Sequence, residues 1–182
     1  EGPGASGALT AFAEATETPV MAAWRRPDVV ASDHRLYLGM AGYGAPRVVR
    51  ERLVAADLIV AIGTRFSEPS SFWYAVPADG QRVIHIDIEP GFAGRPAPWL
   101  AIRADAGRFL QAALARVRPD GWPAPDRRAA NDADRAAYLA AIALPDGAAR
   151  ADLLPPPARG VDPAAVIRVL RARLAEGTIL TT

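Results

Sequence analysis

Asp57-Leu58-Ile59-Val60-Ala61-Ile62-Gly63-Thr64-Arg65-Phe66 and, after a polar and aromatic loop, Val83-Ile84-His85-Ile86-Asp87-Ile88-Glu89 are the stretches that decide the fold. The first run is short and continuously apolar, the pattern of a strand covered on both faces of a parallel sheet. It stops at Gly63, and the second run stops in the acids Asp87 and Glu89. Open parallel sheets bind ligands beyond the carboxyl ends of their strands, so chemistry is expected at these two tips. Asp87 and Glu89 stand two apart and point to one side. Such a pair accepts hydrogen bonds from a ribose or holds a cation, or merely keeps a strand end soluble.

Working outward, the flanking segments alternate between strand and helix. Gly2, Gly4 and Gly7 satisfy the G-x-G-x-x-G spacing of a dinucleotide-binding turn. No strand precedes them in the sequence, however, and Pro3 removes an N–H that would face a phosphate, so a glycine turn leading into a helix is favoured. Helical spacing runs from Ala8 to Thr16, Thr18-Pro19 stops it, and Val20-Met21-Ala22-Ala23 reads as a strand. Arg25 and Arg26 follow at its carboxyl end, where they either meet an anion or pair with Asp28 or Asp33, the commoner outcome. His34 has no partner at ligand spacing and reads as structural. Gly39, Gly42 and Gly44 make a mobile or tightly turned loop, and Pro46 opens a helix to Ala56.

Phe72, Trp73 and Tyr74 cannot all face one way. Either one of them packs outward against another subunit, another domain or a ligand, or the loop plugs its own core. Trp99 to Ile102 reads as the last strand, and Asp105 caps a helix carrying Phe109, Leu110, Ala113, Leu114 and Val117. Residues 1–118 thus read as an α/β domain, a Rossmann-like parallel sheet with helices on both faces. Residues 119–160 read as a linker with one alanine-rich helix, from Asp126 to Leu144, whose face is Tyr138, Leu139 and Ile142. Residues 161–182, a helix capped by Asp162 and a strand from Thr178, read as the start of a further α/β domain.

Composition narrows the function classes. The chain has 182 residues, 51% of them hydrophobic, a formal charge of +1 and no cysteine. Scattered charge gives no case for nucleic acid or anionic membrane, and the lack of cysteine excludes disulfides and thiolate metal sites. No window approaches the about 18 apolar residues of a membrane span, and no export signal is present, so a cytoplasmic location is expected. All 21 basic residues are arginine, a genomic bias rather than a requirement of fold. No catalytic constellation is visible, because the two histidines are isolated and no serine sits in a nucleophile motif.

Ala56 to Phe66, Val83 to Pro90 and Asp33-His34-Arg35-Leu36-Tyr37-Leu38-Gly39-Met40 together resemble the central domain of thiamine-diphosphate-dependent enzymes, acetolactate-synthase-like proteins in particular. The likeness extends over about Gly2 to Val117, and the helix and strand of residues 161–182 resemble the start of the family's C-terminal, thiamine-diphosphate-binding domain. It implies a strand just upstream of Glu1 that sits centrally in the sheet, so that this chain is truncated. It also implies an enzyme that decarboxylates a 2-oxo acid and transfers or releases the two-carbon unit. Thiamine diphosphate and Mg2+ would be held by flanking pyrimidine- and diphosphate-binding domains, in a homodimer or tetramer, and not by this stretch, which would contribute neither catalytic nor metal-binding residues.

Some family members hold flavin adenine dinucleotide (FAD) or adenosine diphosphate (ADP) in this domain. The resemblance carries that site onto Gly42, Tyr43, Gly44, Gly63, Arg65 and Asp87, with Glu89 beside them. Three departures weigh against flavin: Gly42-Tyr43-Gly44 where members show Met-His-Gly, Ser67-Glu68-Pro69 for Asp-Asp-Arg, and Ala104-Asp105 for Gly-Asp. Two other functions stay open. One is a free-standing nucleotide-binding module; the other is a purely structural domain bridging the two cofactor-binding domains.

Overall fold

The computed structural model describes residues 4–89, 97–117, 125–143, 163–175 and 178. It forms two compact units, Glu1–Ile142 and Ala143–Thr182. In the first, β3 (Leu58–Ile62) pairs in parallel with β4 (Arg82–Asp87), Ile59 opposite Val83 and Ile62 opposite Ile86. On its other edge β4 pairs in parallel with β5 (Leu100–Arg103). A second parallel pair joins β1 (Val20–Ala22) to β2 (Tyr37–Met40). β2 was not expected as a strand. A glycine inside a four-residue run weakens the strand signal, but Gly39 lies at φ +80°, and a methyl there would run into the Tyr138 ring.

Helices cover both faces. α1 (Ala5–Thr16) starts earlier than its periodicity suggests, because Gly4, at φ +90°, precedes a first turn that takes in Ala5, Ser6 and Gly7. The glycines from Gly4 onward therefore serve a helix start; Gly2 lies outside the described residues. α2 (Arg47–Ala55) follows Pro46, and in α3 (Ala106–Leu114) the Asp105 carboxylate accepts the Arg108 N–H at 3.0 Å, the expected cap. Met21 packs with Val48, Val49 and Ile59 in one core cluster, whereas its neighbours Val20 and Ala22 pack with Leu9 of α1 in another. Alternate strand residues point to opposite faces, so α1 and α2 lie on opposite sides of the strands.

Among the described residues the two sheets share no strand pair. Between β1 and β3 lies a cavity of about 610 Å3, walled by both strands and by apolar side chains of α1, α3 and the Phe66 to Val76 loop. At the amino ends, buried Asn131 spans it: Nδ2 donates to Glu17 C=O (2.9 Å) and Oδ1 accepts from Arg52 of α2 (3.0 Å). At the carboxyl ends the Tyr43 N–H donates to Pro69 C=O at 3.1 Å. Clips at both ends mean that β1 and β3 run in the same direction.

Asn131 belongs to α4 (Pro125–Ile142), the helix that the sequence places in a linker. Here it is part of the first unit. Its docking face is not Tyr138, Leu139 and Ile142, since Leu139 and Ile142 are each 46% exposed. The face is Asn131, Asp134, Arg135 and Tyr138. Buried Arg135 donates to the carbonyls of Tyr37 and Ser32 and lies over the Tyr138 ring, and Arg52 pairs with Asp134. The spacing is helical but the residues are polar, so hydrophobic periodicity points to the wrong stripe. In the second unit α5 (Pro163–Arg173) begins at Pro163 as expected, with Val166 and Ile167 exposed. The expected strand beyond Thr178 lies outside the described residues, as do residues 119–124 and 144–160 of the expected linker.

Glu17, just before β1, also pairs through its carboxylate with Arg35. The hydrogen bond from Arg35 holds the Glu17 carboxyl below its ordinary value. A depressed carboxyl contributes stability above its unfolded value, and that contribution is lost as pH falls through the folded one. Glu17→Gln is therefore expected to cost about 1.5–3 kcal/mol at pH 7, measured by urea unfolding. Below about pH 4 the gap to wild type should narrow; a gap independent of pH would contradict the pairing.

Candidate functional site

The carboxyl ends of the strands carry the residues expected to bind. At the tip of β2, Gly42 is buried at φ +108°, and a side chain there would overlap the Pro69 carbonyl. The Tyr43 N–H is engaged by that same carbonyl, and the Ala45 N–H returns to Gly42 C=O at 3.1 Å. The Tyr43 hydroxyl donates to Glu68 at 3.3 Å, and its phenol is held above the ordinary value by burial and then by that carboxylate. Of this loop only Gly44, at φ +73°, faces open space.

At the tip of β3, Gly63 (φ +62°) donates to Ile86 C=O at 2.8 Å, and Phe66 turns back into the core. Arg65 is exposed and makes no ion pair among the described residues. Buried His85 of β4 donates from Nε2 to Thr64 C=O at 2.9 Å, which fixes the path of the Gly63 turn. In the sequence His85 is an isolated histidine; its hydrogen bond goes to a backbone carbonyl 21 residues away, for which sequence holds no signal, and the Asp87 carboxylate lies 3.9 Å from the same Nε2. At the tip of β4 the Asp87 carboxylate accepts the Glu89 N–H at 3.1 Å, and Glu89 is exposed.

Gly63 and Asp87 thus sit on neighbouring strand tips. Tyr43 and Gly44 instead border a hollow of about 330 Å3 with Tyr37, Met40 and Tyr138, and Gly63 borders the slot between β1 and β3. Gly42, Arg65, Asp87 and Glu89 border neither of these two hollows. A large dinucleotide fits poorly here, because the Tyr43 N–H and one Asp87 oxygen are already bonded. Among the described residues no three His, Cys, Asp or Glu side chains gather as they would to hold a metal ion.

The neighbouring loops are as engaged. Arg26 pairs with Asp28 at 3.2 Å, the loop salt bridge. His34 accepts the Leu36 N–H at Nδ1 and donates to Glu14 from Nε2, a structural role. The aromatic loop is divided: Phe72 is in the core, while Trp73 and Tyr74 are 62% and 54% exposed. All three have left-handed φ, from 52° to 65°, a run costing about 1–2 kcal/mol per residue. Trp73 packs edge-on against Tyr43, ring centroids 4.5 Å apart, and Tyr43 packs against Trp24 at 5.9 Å.

Parallel strands running one way, helices on both faces and loops gathered at the carboxyl ends define a Rossmann-like α/β domain. The chain belongs to the family described as thiamine pyrophosphate enzyme, central domain, which matches residues 2–113. It is 31% identical over 141 residues to a sulfoacetaldehyde acetyltransferase of Rhodobacter capsulatus, covering 73% of this chain and 22% of that protein. It is 36% identical over 108 residues to a glyoxylate carboligase of Escherichia coli O157:H7, 58% of this chain and 18% of that one. An acetolactate synthase of Mycobacterium avium is 33% identical over 120 residues, 65% and 19%. The chain spans about a fifth of the length of these curated relatives. Among the described residues no helix is long and apolar enough to cross a membrane.

Because Gly42 meets the Pro69 carbonyl and Gly44 meets nothing, their alanine variants should differ. Gly44→Ala is expected to cost about 1–2 kcal/mol for the left-handed backbone alone, and Gly42→Ala a further about 1–3 kcal/mol for overpacking. Urea midpoints compare them directly, and equal costs would contradict the clip between the two loops.

Proposed function

We propose that this domain is the structural centre of a thiamine-diphosphate-dependent enzyme acting on 2-oxo acids, an acetolactate-synthase-like decarboxylating transferase or lyase of the cytoplasm. The observation that carries the proposal is the family match over residues 2–113. Thiamine diphosphate, when bound, supplies a carbanion sink for the decarboxylated two-carbon unit, and the protein's part is to orient it. Under this proposal the flanking pyrimidine- and diphosphate-binding domains hold that cofactor with Mg2+, in a homodimer or tetramer. Residues 4–142 keep those domains in register, and Trp73 and Tyr74 meet a neighbouring domain or subunit.

The same proposal gives Gly42, Tyr43, Gly44, Gly63, Arg65, Asp87 and Glu89 at most a weak adenine-nucleotide site. Arg65 and Asp87 are its charged contacts, with ADP favoured over FAD. A free-standing nucleotide-binding module is the weaker alternative, since the loop backbone that would cradle a phosphate is already bonded at Tyr43.

The test has two arms. Residues 1–182, titrated calorimetrically with thiamine diphosphate and Mg2+ and assayed with pyruvate, are expected to bind no cofactor and consume no substrate, and ADP should bind no tighter than about 0.1 mM. The full-length protein is expected to consume a 2-oxo acid once both cofactors are added. Tight cofactor binding by residues 1–182, stoichiometric flavin in the purified protein, or a full-length protein indifferent to thiamine diphosphate would overturn the proposal.

A further inference from the structure

The aromatic turn at the carboxyl face is held in a shape that costs energy, yet part of it is left in water. Phe72, Trp73 and Tyr74 follow one another at φ 52°, 56° and 65°. Strain of this kind persists only where the surroundings over-determine it, and it gathers at sites that bind. Here Phe72 is buried, the Trp73 N–H donates to Glu68 C=O at 3.2 Å, and the Tyr74 N–H donates to Ser71 Oγ at 3.1 Å. That hydroxyl in turn donates to Ser67 C=O at 2.8 Å. The turn therefore aims the Trp73 indole rigidly outward. A charge stands beside it. The Tyr43 ring packs against Trp73, and its hydroxyl donates to Glu68 Oε1, so the exposed Glu68 carboxylate borders the indole. Among the described residues Glu68 pairs with no cation, and no cation lies over the Trp73 ring.

We infer that Trp73 and Glu68 form a docking corner for one arginine side chain of a flanking domain, its guanidinium stacked on the indole and its N–H groups donating to the Glu68 carboxylate. This rests on the reading that the exposed rings meet a neighbouring domain, and it names the chemistry of that contact. Charge complementarity identifies the occupant: the face of an indole and a carboxylate are both negative, so together they select a cation over an apolar or acidic group. A guanidinium suits the corner better than an ammonium, because it is planar, stacks on an aromatic face and still presents a fork of donors to a carboxylate. The chain uses the same contact elsewhere. Arg82 lies over Trp99 at 5.5 Å and Arg135 over Tyr138 at 5.4 Å. Arginine is also the cation at all 21 basic positions of the sequence.

Residues 1–182 are titrated with a capped glycine–arginine–glycine tripeptide while the indole N–H resonances are followed. The Trp73 resonance is expected to shift and saturate, about fivefold more weakly in Glu68→Gln and with lysine in place of arginine. A citrulline tripeptide, which keeps the shape and lacks the charge, should leave it unmoved. Trp99, whose ring already carries Arg82, is the internal control and should not respond. In the full-length protein, N-bromosuccinimide should oxidise Trp73 at least tenfold more slowly than in residues 1–182. A response no larger at Trp73 than at Trp99, equal affinity for the citrulline peptide, or equal oxidation rates would overturn the inference. The thiamine-diphosphate dependence of the full-length protein reports separately on the enzyme assignment.

Discussion

Asn131 is the hinge of the structure. One buried amide reaches Glu17 C=O on the approach to β1 and Arg52 on the approach to β3, and so fixes the amino ends of two sheets that share no ladder. At the other end the Tyr43 N–H and the bare face of Gly42 close on Pro69. Side chains and single backbone bonds thus do what a continuous sheet does elsewhere.

This arrangement explains why the carboxyl face looks like a ligand site and behaves as a joint. In an open parallel sheet the loop N–H groups at this edge are free for a phosphate. Here Gly42 and Tyr43 are spent on holding one sheet to the other. The aromatic run extends the joint outward: Phe72 anchors in the core, while Trp73 bears on Tyr43 and still exposes most of its ring.

Much of this was legible in the sequence where burial and capping govern. The runs at Leu58 and Val83 gave parallel strands, and Asp105 gave a helix start, because apolar periodicity and N-cap chemistry are local. The lapses share a different cause. β2 was hidden because Gly39 serves Tyr138, 99 residues away, and α4 turned its polar side inward because Arg135 and Asn131 satisfy carbonyls that no local pattern reveals. The site residues were placed at strand tips, where they are, but their hydrogen-bond partners come from other loops. Whether a glycine loop is open or spent is a tertiary fact.

The central claim is that β1 and β3 run the same way on either side of a strand-wide gap, with a hydrogen-bonded clip at each end. Backbone nuclear Overhauser effects in residues 1–182 test it most directly. Amide-to-α-proton contacts are expected across Val20–Tyr37 and Ile59–Val83 but not between Met21 and Val60, whose strands should stand about two spacings of 4.8 Å apart. Direct backbone contacts between Met21 and Val60 would show the two sheets joined into one, and would contradict the account.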